Sequence, residues 1–169
     1  MDIDDLQRVT LYTDGGCAPN PGPGGYGVVL RYGAHRRELS AGYLVTTNNR
    51  MELLAAVVGL RALTRRCRVL LYSDSKYIVD AMNGGWPRRW VATGWKRSEK
   101  KAAANSDLWA ELLRLCDAHE VAFVWVKGHA GDPDNERCDR LAAAATQGSA
   151  LLPDAGYGMP PAAPLFDAM

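Results

Sequence analysis

No stretch of this chain is apolar for long enough to cross a membrane. A span needs about 18 consecutive apolar residues, and the best run, residues 53–60, stops at Arg61. A secretory leader is also missing: Met1-Asp2-Ile3-Asp4-Asp5 is acidic where a signal peptide opens basic and turns apolar. The expectation is a cytoplasmic protein. Close cysteine pairs are lacking too, since Cys17, Cys67, Cys116 and Cys138 form no CxxC. That excludes a zinc ribbon and a small disulfide framework, and leaves free thiols in a reducing compartment. Overall charge bias is absent, with 20 Lys and Arg against 19 Asp and Glu. What remains is 169 residues, 47% of them hydrophobic, enough for one soluble domain with a sizeable core.

The balanced charge hides a local imbalance. Residues 88–101 hold Arg88, Arg89, Lys96, Arg97, Lys100 and Lys101 against Glu99 alone, so a basic arm is attached to a mildly acidic body. Such a division suits a polyanion held beside a cation-binding site.

Residues 8–14 alternate apolar and polar at strand period and run into a Gly- and Pro-rich turn; residues 27–32 and 38–44 follow as two more strands around Gly33-Ala34-His35. Thr46 or Thr47 then offers an N-cap to a helix carrying Leu53, Leu54, Val57, Val58 and Leu60 and ending near Arg65-Arg66. Residues 68–73 read as a strand, 75–82 as a short helix, 105–119 as an amphipathic helix and 121–126 as a fifth strand. A flexible loop at 128–132 leads to a last helix, with Pro133 in its first turn, running to about Thr146. This order predicts an α/β fold: a mixed five-stranded sheet, three antiparallel strands and then two parallel ones, flanked by helices. The domain spans 1–147. Pro153, Pro160, Pro161 and Pro164 with Gly156 and Gly158 make 148–169 a flexible tail, and deleting 150–169 should leave stability and activity nearly unchanged.

The sharpest local signal is a near-repeat, Leu11-Tyr12-Thr13-Asp14 and Leu71-Tyr72-Ser73-Asp74, in which each strand ends in an aspartate. If a right-handed helix crossover makes these strands parallel neighbours, about 4.8 Å apart, the two carboxylates converge at one end of the sheet. Two like charges at ~4 Å repel by roughly 4 kcal/mol at an effective dielectric near 20, so the pair holds a proton or a cation. Glu52, in the first turn of the crossover helix, and Asp139, in the last helix, are placed to join them. Any one of these carboxylates alone is more often a helix cap or a solvated group; four together are harder to dismiss. Oxygen-only ligands favour Mg²⁺ or Mn²⁺ over zinc.

These residues resemble those of type 1 ribonuclease H over about 8–147. The motifs are Tyr12-Thr13-Asp14-Gly15-Gly16, Thr47-Asn48-Asn49-Arg50-Met51-Glu52, Ser73-Asp74-Ser75, Trp125-Val126-Lys127-Gly128-His129-Ala130-Gly131 and Asn135-Glu136-Arg137-Cys138-Asp139, in family order and spacing. The resemblance implies the ribonuclease H-like fold and hydrolysis of the RNA strand of RNA/DNA hybrids by two Mg²⁺ ions, giving 3′-hydroxyl and 5′-phosphate ends. It implies Asp14, Glu52, Asp74 and Asp139 as metal ligands, Asp14 bridging both ions. His129, on its glycine-flanked loop, would move protons or assist product departure.

By the same resemblance Cys17 (through its backbone), Asn20, Asn48, Asn49 and Glu52 read the hybrid across its minor groove, with Thr47 and Asn20 near a DNA phosphate. Residues 86–101 resemble the family's basic handle, whose cations Arg88, Arg89, Lys96, Arg97, Lys100 and Lys101 would bind DNA phosphates. Trp86, Trp90 and Trp95 stand at matching places. Trp86 and Trp90 are read mainly as packing, while Trp90 and Trp95 are carried as handle contacts. The chain departs from the pattern at Val91-Ala92-Thr93, where relatives often place cations, and at Lys76, where a substrate-touching glutamine is common; Lys76 makes groove contact there more electrostatic. The resemblance also implies a monomer with no obligate protein partner, and no N-terminal hybrid-binding extension. Two other readings stay open, a non-catalytic hybrid-binding module and a metal-dependent DNA nuclease or resolvase on the same fold. The first would lack a metal ligand, and the second is disfavoured by Asn20, Asn48 and Asn49.

Overall fold

A computed structural model of the chain describes residues 5–158. The first three strands, β1 (Gln7–Cys17), β2 (Gly22–Tyr32) and β3 (His35–Thr46), form an antiparallel meander. Helix α1 (Asn48–Arg61) then crosses over so that β4 (Cys67–Ser73) lies parallel to β1. Two helices, α2 (Lys76–Gly84) and α3 (Trp86–Ala92), a small hairpin of β5 (Lys96–Ser98) and β6 (Lys101–Ala102), and α4 (Ser106–Ala118) lead to β7 (Glu120–Trp125). β7 pairs parallel with β4, giving the order β3-β2-β1-β4-β7, and α5 (Pro133–Thr146) follows. The sheet is therefore the mixed α/β sheet that the sequence predicts.

Strand alternation assigns the two faces. Leu11, Val28, Val69 and Leu71 are buried with Leu53, Val57 and Leu60 of α1, and with Trp109 and Leu112 of α4. The other face of β1 and β2 receives α5, where the thiol of Cys138 donates to the Tyr12 carbonyl. α5 lies against bare backbone here: a Cβ at Gly27 would collide with the Cys138 carbonyl oxygen. Glycine lets the helix sit that deep, and so sets how near its residues come to the end of β1. Asp132 starts α5 by accepting from the amides of Asp134 and Asn135, at 3.0 and 3.2 Å.

Three expectations need revising. β1 runs on through Gly15-Gly16 to Cys17 and β2 starts at Gly22, so most of the Gly-rich stretch read as a turn is ladder. Glu52, placed by the sequence in the first turn of the crossover helix, is the fifth residue of α1 and lies beyond that turn, which holds no acidic residue. The tail also departs from its reading as a loosely held segment. The Leu152 amide donates to the Gly42 carbonyl and the Leu44 amide to the Leu152 carbonyl, both at 2.9 Å, and Asp154 forms an ion pair with buried Arg50. Proline at 153 ends the pairing without preventing it, because the strand edge asks for hydrogen bonds only from Leu152. Phe166 and the rest of 159–169 lie outside the described residues.

Removing residues 151–169 is expected to lower Tm by roughly 6–12 °C. Taking one partner from a buried ion pair costs on the order of 3 kcal/mol, and each kcal/mol moves Tm by about 2–4 °C in a domain of this size. An unchanged circular-dichroism melt would refute it.

Candidate active site

The near-repeat pairs with itself. Leu11 lies opposite Leu71, Tyr12 opposite Tyr72 and Thr13 opposite Ser73, so Asp14, still paired with β2, and Asp74, just past the end of β4, stand side by side where the parallel ladder ends. The rings of Tyr12 and Tyr72 stack behind them, 4.8 Å between centroids and 13° apart in plane. Glu52 is brought in by a second close approach: a Cβ on Gly15 would overlap the Met51 carbonyl, so β1 and the first turn of α1 touch backbone to backbone. Asp14, Glu52 and Asp74 then each offer an oxygen within 4.8 Å of the others, the one such acidic group among the described residues. Asp139 stands at the rim. It shares with Asp14 a depression of about 240 Å³ between β1 and α5, but it is not one of the close trio.

Burial, and then the charge of Asp74, push the Asp14 carboxyl up to about 7, against the hydrogen bonds from Glu52 and the Gly15 amide. Burial followed by the Asp14 and Asp74 charges raises Glu52 well above the usual carboxylate range. Asp74 is raised by burial; a hydrogen bond from Asn135 opposes this, Asp139 adds to it, and nearby His129 works against it. The Oε2 oxygen of Glu52 is buried with no hydrogen-bond partner. An orphaned carboxylate oxygen in a cluster of like charges fits a hard cation, whose preferred donors are carboxylate oxygens. No imidazole or thiolate joins the trio, so its chemistry is not that of a zinc site.

The residues named from the sequence divide into groups around this trio. His129 is exposed on its loop with a left-handed backbone, φ 54°, next to Gly128, where a Cβ would come 2.8 Å from Asp74 Oδ2. On the other side, the Cys17 amide donates to Asn48 Oδ1 at 2.7 Å, and the Asn48 amide donates to Asn20 Oδ1 at 3.2 Å. Thr47 is the N-cap of α1, accepting from the Arg50 amide. Beyond them Asn49, Lys76, Tyr77, Trp86, Trp90 and Arg97 line an open cleft of about 600 Å³. Lys76 is held 5.1 Å from the centre of the Trp125 ring, whose indole N–H donates to the Asp74 carbonyl.

The family model for RNase H matches residues 6–147. The chain belongs to the ribonuclease H family. Its sequence is 58% identical over 154 residues to ribonuclease H of Syntrophus aciditrophicus, covering 91% of this chain and 89% of that protein. It is 60% identical over 142 residues to ribonuclease H of Desulforamulus reducens, covering 84% and 89%. Among solved structures it is similar to LC9-RNase H1, described as a type 1 RNase H with the type 2 active-site motif, with TM-score 0.75 and 34% identity over 86% of this chain and 74% of that one. It is also similar to LC11-RNase H1, solved in complex with RNA/DNA hybrid, with TM-score 0.63 and 26% identity over 82% and 96%.

Within this ribonuclease H, two groups sit apart from the places suggested for them. Arg88 is drawn to Asp117 of α4, 2.7 Å away, and lines a separate hollow with Val91 and Trp95 on the far side of α3. Trp90 packs edge-on against Trp109, centroids 5.8 Å apart, and Trp95 packs partly against the core, whereas Trp86, read as packing, is 45% exposed in the cleft. Arg89 donates to the Gly84 carbonyl, while Lys96, Lys100 and Lys101 are exposed on the hairpin. Sequence reasoning missed Asn135, buried and bonded to Asp74, and Arg50, buried beneath the first turn of α1. Both stand inside quoted motifs, but a helical Asn and a helical Arg carry no signal of burial.

Raised carboxyl values mean that above about pH 4 the unfolded chain holds fewer protons at these positions than the folded one. Their contribution to stability is therefore complete at low pH and is lost as pH rises through about 7. In EDTA, Tm is expected to fall relative to Asp14→Asn as pH rises from about 4.5 to 7.5, and millimolar Mg²⁺ should reverse the fall at the upper end of that range. Parallel Tm profiles for the two proteins in EDTA would refute this.

Proposed function

We propose that this chain is an endonuclease that hydrolyses the RNA strand of RNA/DNA hybrids, leaving 3′-hydroxyl and 5′-phosphate ends. The observation that carries the reading is the convergence of Asp14, Glu52 and Asp74, one oxygen of each within 4.8 Å of the others. One structural relative was solved with such a hybrid. Mg²⁺, with Mn²⁺ as a substitute, matches an all-carboxylate donor set. Asp14, Glu52, Asp74 and Asp139 would hold two such ions when substrate is bound. When bound, the cations neutralise charge at the scissile phosphate and supply a water of lowered pKa.

The chain's own residues position the substrate and move protons. Asn48 and Asn20 spend their carbonyl oxygens internally, so each offers its NH₂ group to a 2′-hydroxyl or a phosphate. Short amides on exposed turns suit the wide, shallow minor groove of a hybrid better than a helix inserted in a groove would. Lys76 and Arg97, in the cleft beside Asn49, meet the DNA strand's phosphates. His129, exposed on its loop, carries a proton on its imidazole between solvent and the cluster, and moves out of the site as product departs. The chain acts as a cytoplasmic monomer without an obligate protein partner; among the described residues no helix is long and apolar enough to cross a membrane.

The deciding experiment offers labelled hybrid, duplex RNA and duplex DNA in Mg²⁺. Cleavage confined to the RNA of the hybrid is expected; binding without cleavage would favour a recognition module, and cutting of duplex DNA a resolvase. In the same assay Asp14→Asn should leave less than a few per cent of the rate with hybrid still bound. His129→Ala should lower kcat by about 10- to 10³-fold, up to the usual contribution of a positioned acid or base, with KM within a few-fold. Full activity of His129→Ala would remove it from the mechanism.

The handle gives a second test. Removing a cation that neutralises one phosphate reduces the log-log salt slope of affinity by about 0.7–0.9. Arg97→Ala is expected to show that reduction, whereas Arg88→Ala, whose cation is engaged by Asp117, leaves the slope unchanged. Equal effects in the two variants would contradict the division of the handle into two sides.

A further inference from the structure

Helix α1 has no acidic residue in its first turn, although a helix N-terminus favours a negative charge. The charge comes from more than a hundred residues away. Asp154 Oδ2 accepts from the Thr46 hydroxyl and from Arg50 Nε, both at 2.7 Å, and its Oδ1 accepts from Arg50 Nη2 at 3.1 Å. The other edge of the Arg50 guanidinium binds Asp107, at 2.9 and 2.7 Å. Arg50 and Asp154 side chains are only 4% and 9% exposed, and Thr46 is fully buried. The segment carrying Asp154 is seated by the Leu152 bonds to Gly42 and Leu44, and closed by Gly156, where a Cβ would lie 2.5 Å from Arg50 Nη2.

The two residues that Asp154 grips bracket Thr47, Asn48 and Asn49. Asn48 and Asn49 are exposed, so burial does not fix them. Their position is set from one side by Cys17 and Asn20, and from beneath by Asp154 through Thr46 and Arg50. Recognition groups become less effective when displaced by about 0.5–1 Å. We infer that Asp154 is a positioning residue for hybrid recognition: held by the 151–156 segment, it fixes the Thr47–Asn49 turn at the start of α1. This rests on the reading of the chain as a hybrid nuclease.

The test is steady-state cleavage by full-length Asp154→Ala and Asp154→Asn, at a temperature where circular dichroism shows each fully folded. For Asp154→Ala, KM for hybrid should rise about 5- to 20-fold with kcat within about 3-fold, and Asp154→Asn, which keeps acceptor oxygen and shape, should recover part of the loss. A structural role alone would change the melting temperature and leave KM of the folded protein unaltered. Amide exchange at Arg50 and Met51 should quicken at least 10-fold in Asp154→Ala while Val69 is unchanged. Should that variant not fold, Thr46→Val removes one of the hydrogen bonds to Asp154 and should raise KM in the same sense. Wild-type KM and wild-type exchange in a folded variant overturn the inference. A wild-type protein that cuts no hybrid overturns the proposed function instead, and the exchange result still reports on the turn.

Discussion

Asp14, Glu52 and Asp74 repel one another, and left to themselves their side chains would separate into water. They stay together because each is fixed through backbone rather than side-chain contacts. Asp14 and Asp74 are locked by an in-register parallel ladder, and Glu52 by the meeting of Gly15 with the first turn of α1. Such contacts have little slack, so the backbone cannot move apart, and burial together with the neighbouring charges keeps these carboxyl groups protonated to unusually high pH. A divalent cation relieves the same repulsion, and the geometry that strains the metal-free protein is the geometry that prepares it to bind one.

The sequence was legible wherever a pattern reports on a repeating backbone geometry. Strand alternation and the Leu-Tyr-(Thr/Ser)-Asp repeat located the sheet and two of its carboxylates, and the crossover rule supplied their pairing. It was misleading wherever composition stood in for contacts. Glycines at 15, 16, 24 and 25 suggested a long turn, yet they are ladder residues, and Gly15 and Gly25 admit α1 and α5 at close range. Prolines in the last twenty residues suggested a loose end, yet one backbone bridge and one carboxylate dock the part up to Asp154. A count of cations in the handle could not say which of them is already paired; Arg88 is.

Polar contacts also join parts of the site that are distant in sequence. Asn105 accepts from Arg50 and donates to the Tyr77 hydroxyl, which also accepts from the indole N–H of Trp109. Trp109 in turn carries Trp90 of the handle. The root of the cleft and the start of α1 thus rest on the same buried tryptophan, which places the basic arm at a fixed distance from the carboxylates.

The pairing of Arg50 with Asp154, 104 positions apart, sets an order on biosynthesis. A chain made at about 5–20 residues per second exposes Arg50 for roughly 5–20 s before its second carboxylate is synthesised. All four carboxylates Asp14, Glu52, Asp74 and Asp139 are made before Asp154, and until it arrives Arg50 has only Asp107 as a carboxylate partner. A segment made more than a hundred residues later therefore completes the start of the first helix, and the Thr47–Asn49 turn gains its support from beneath only after that segment has been added.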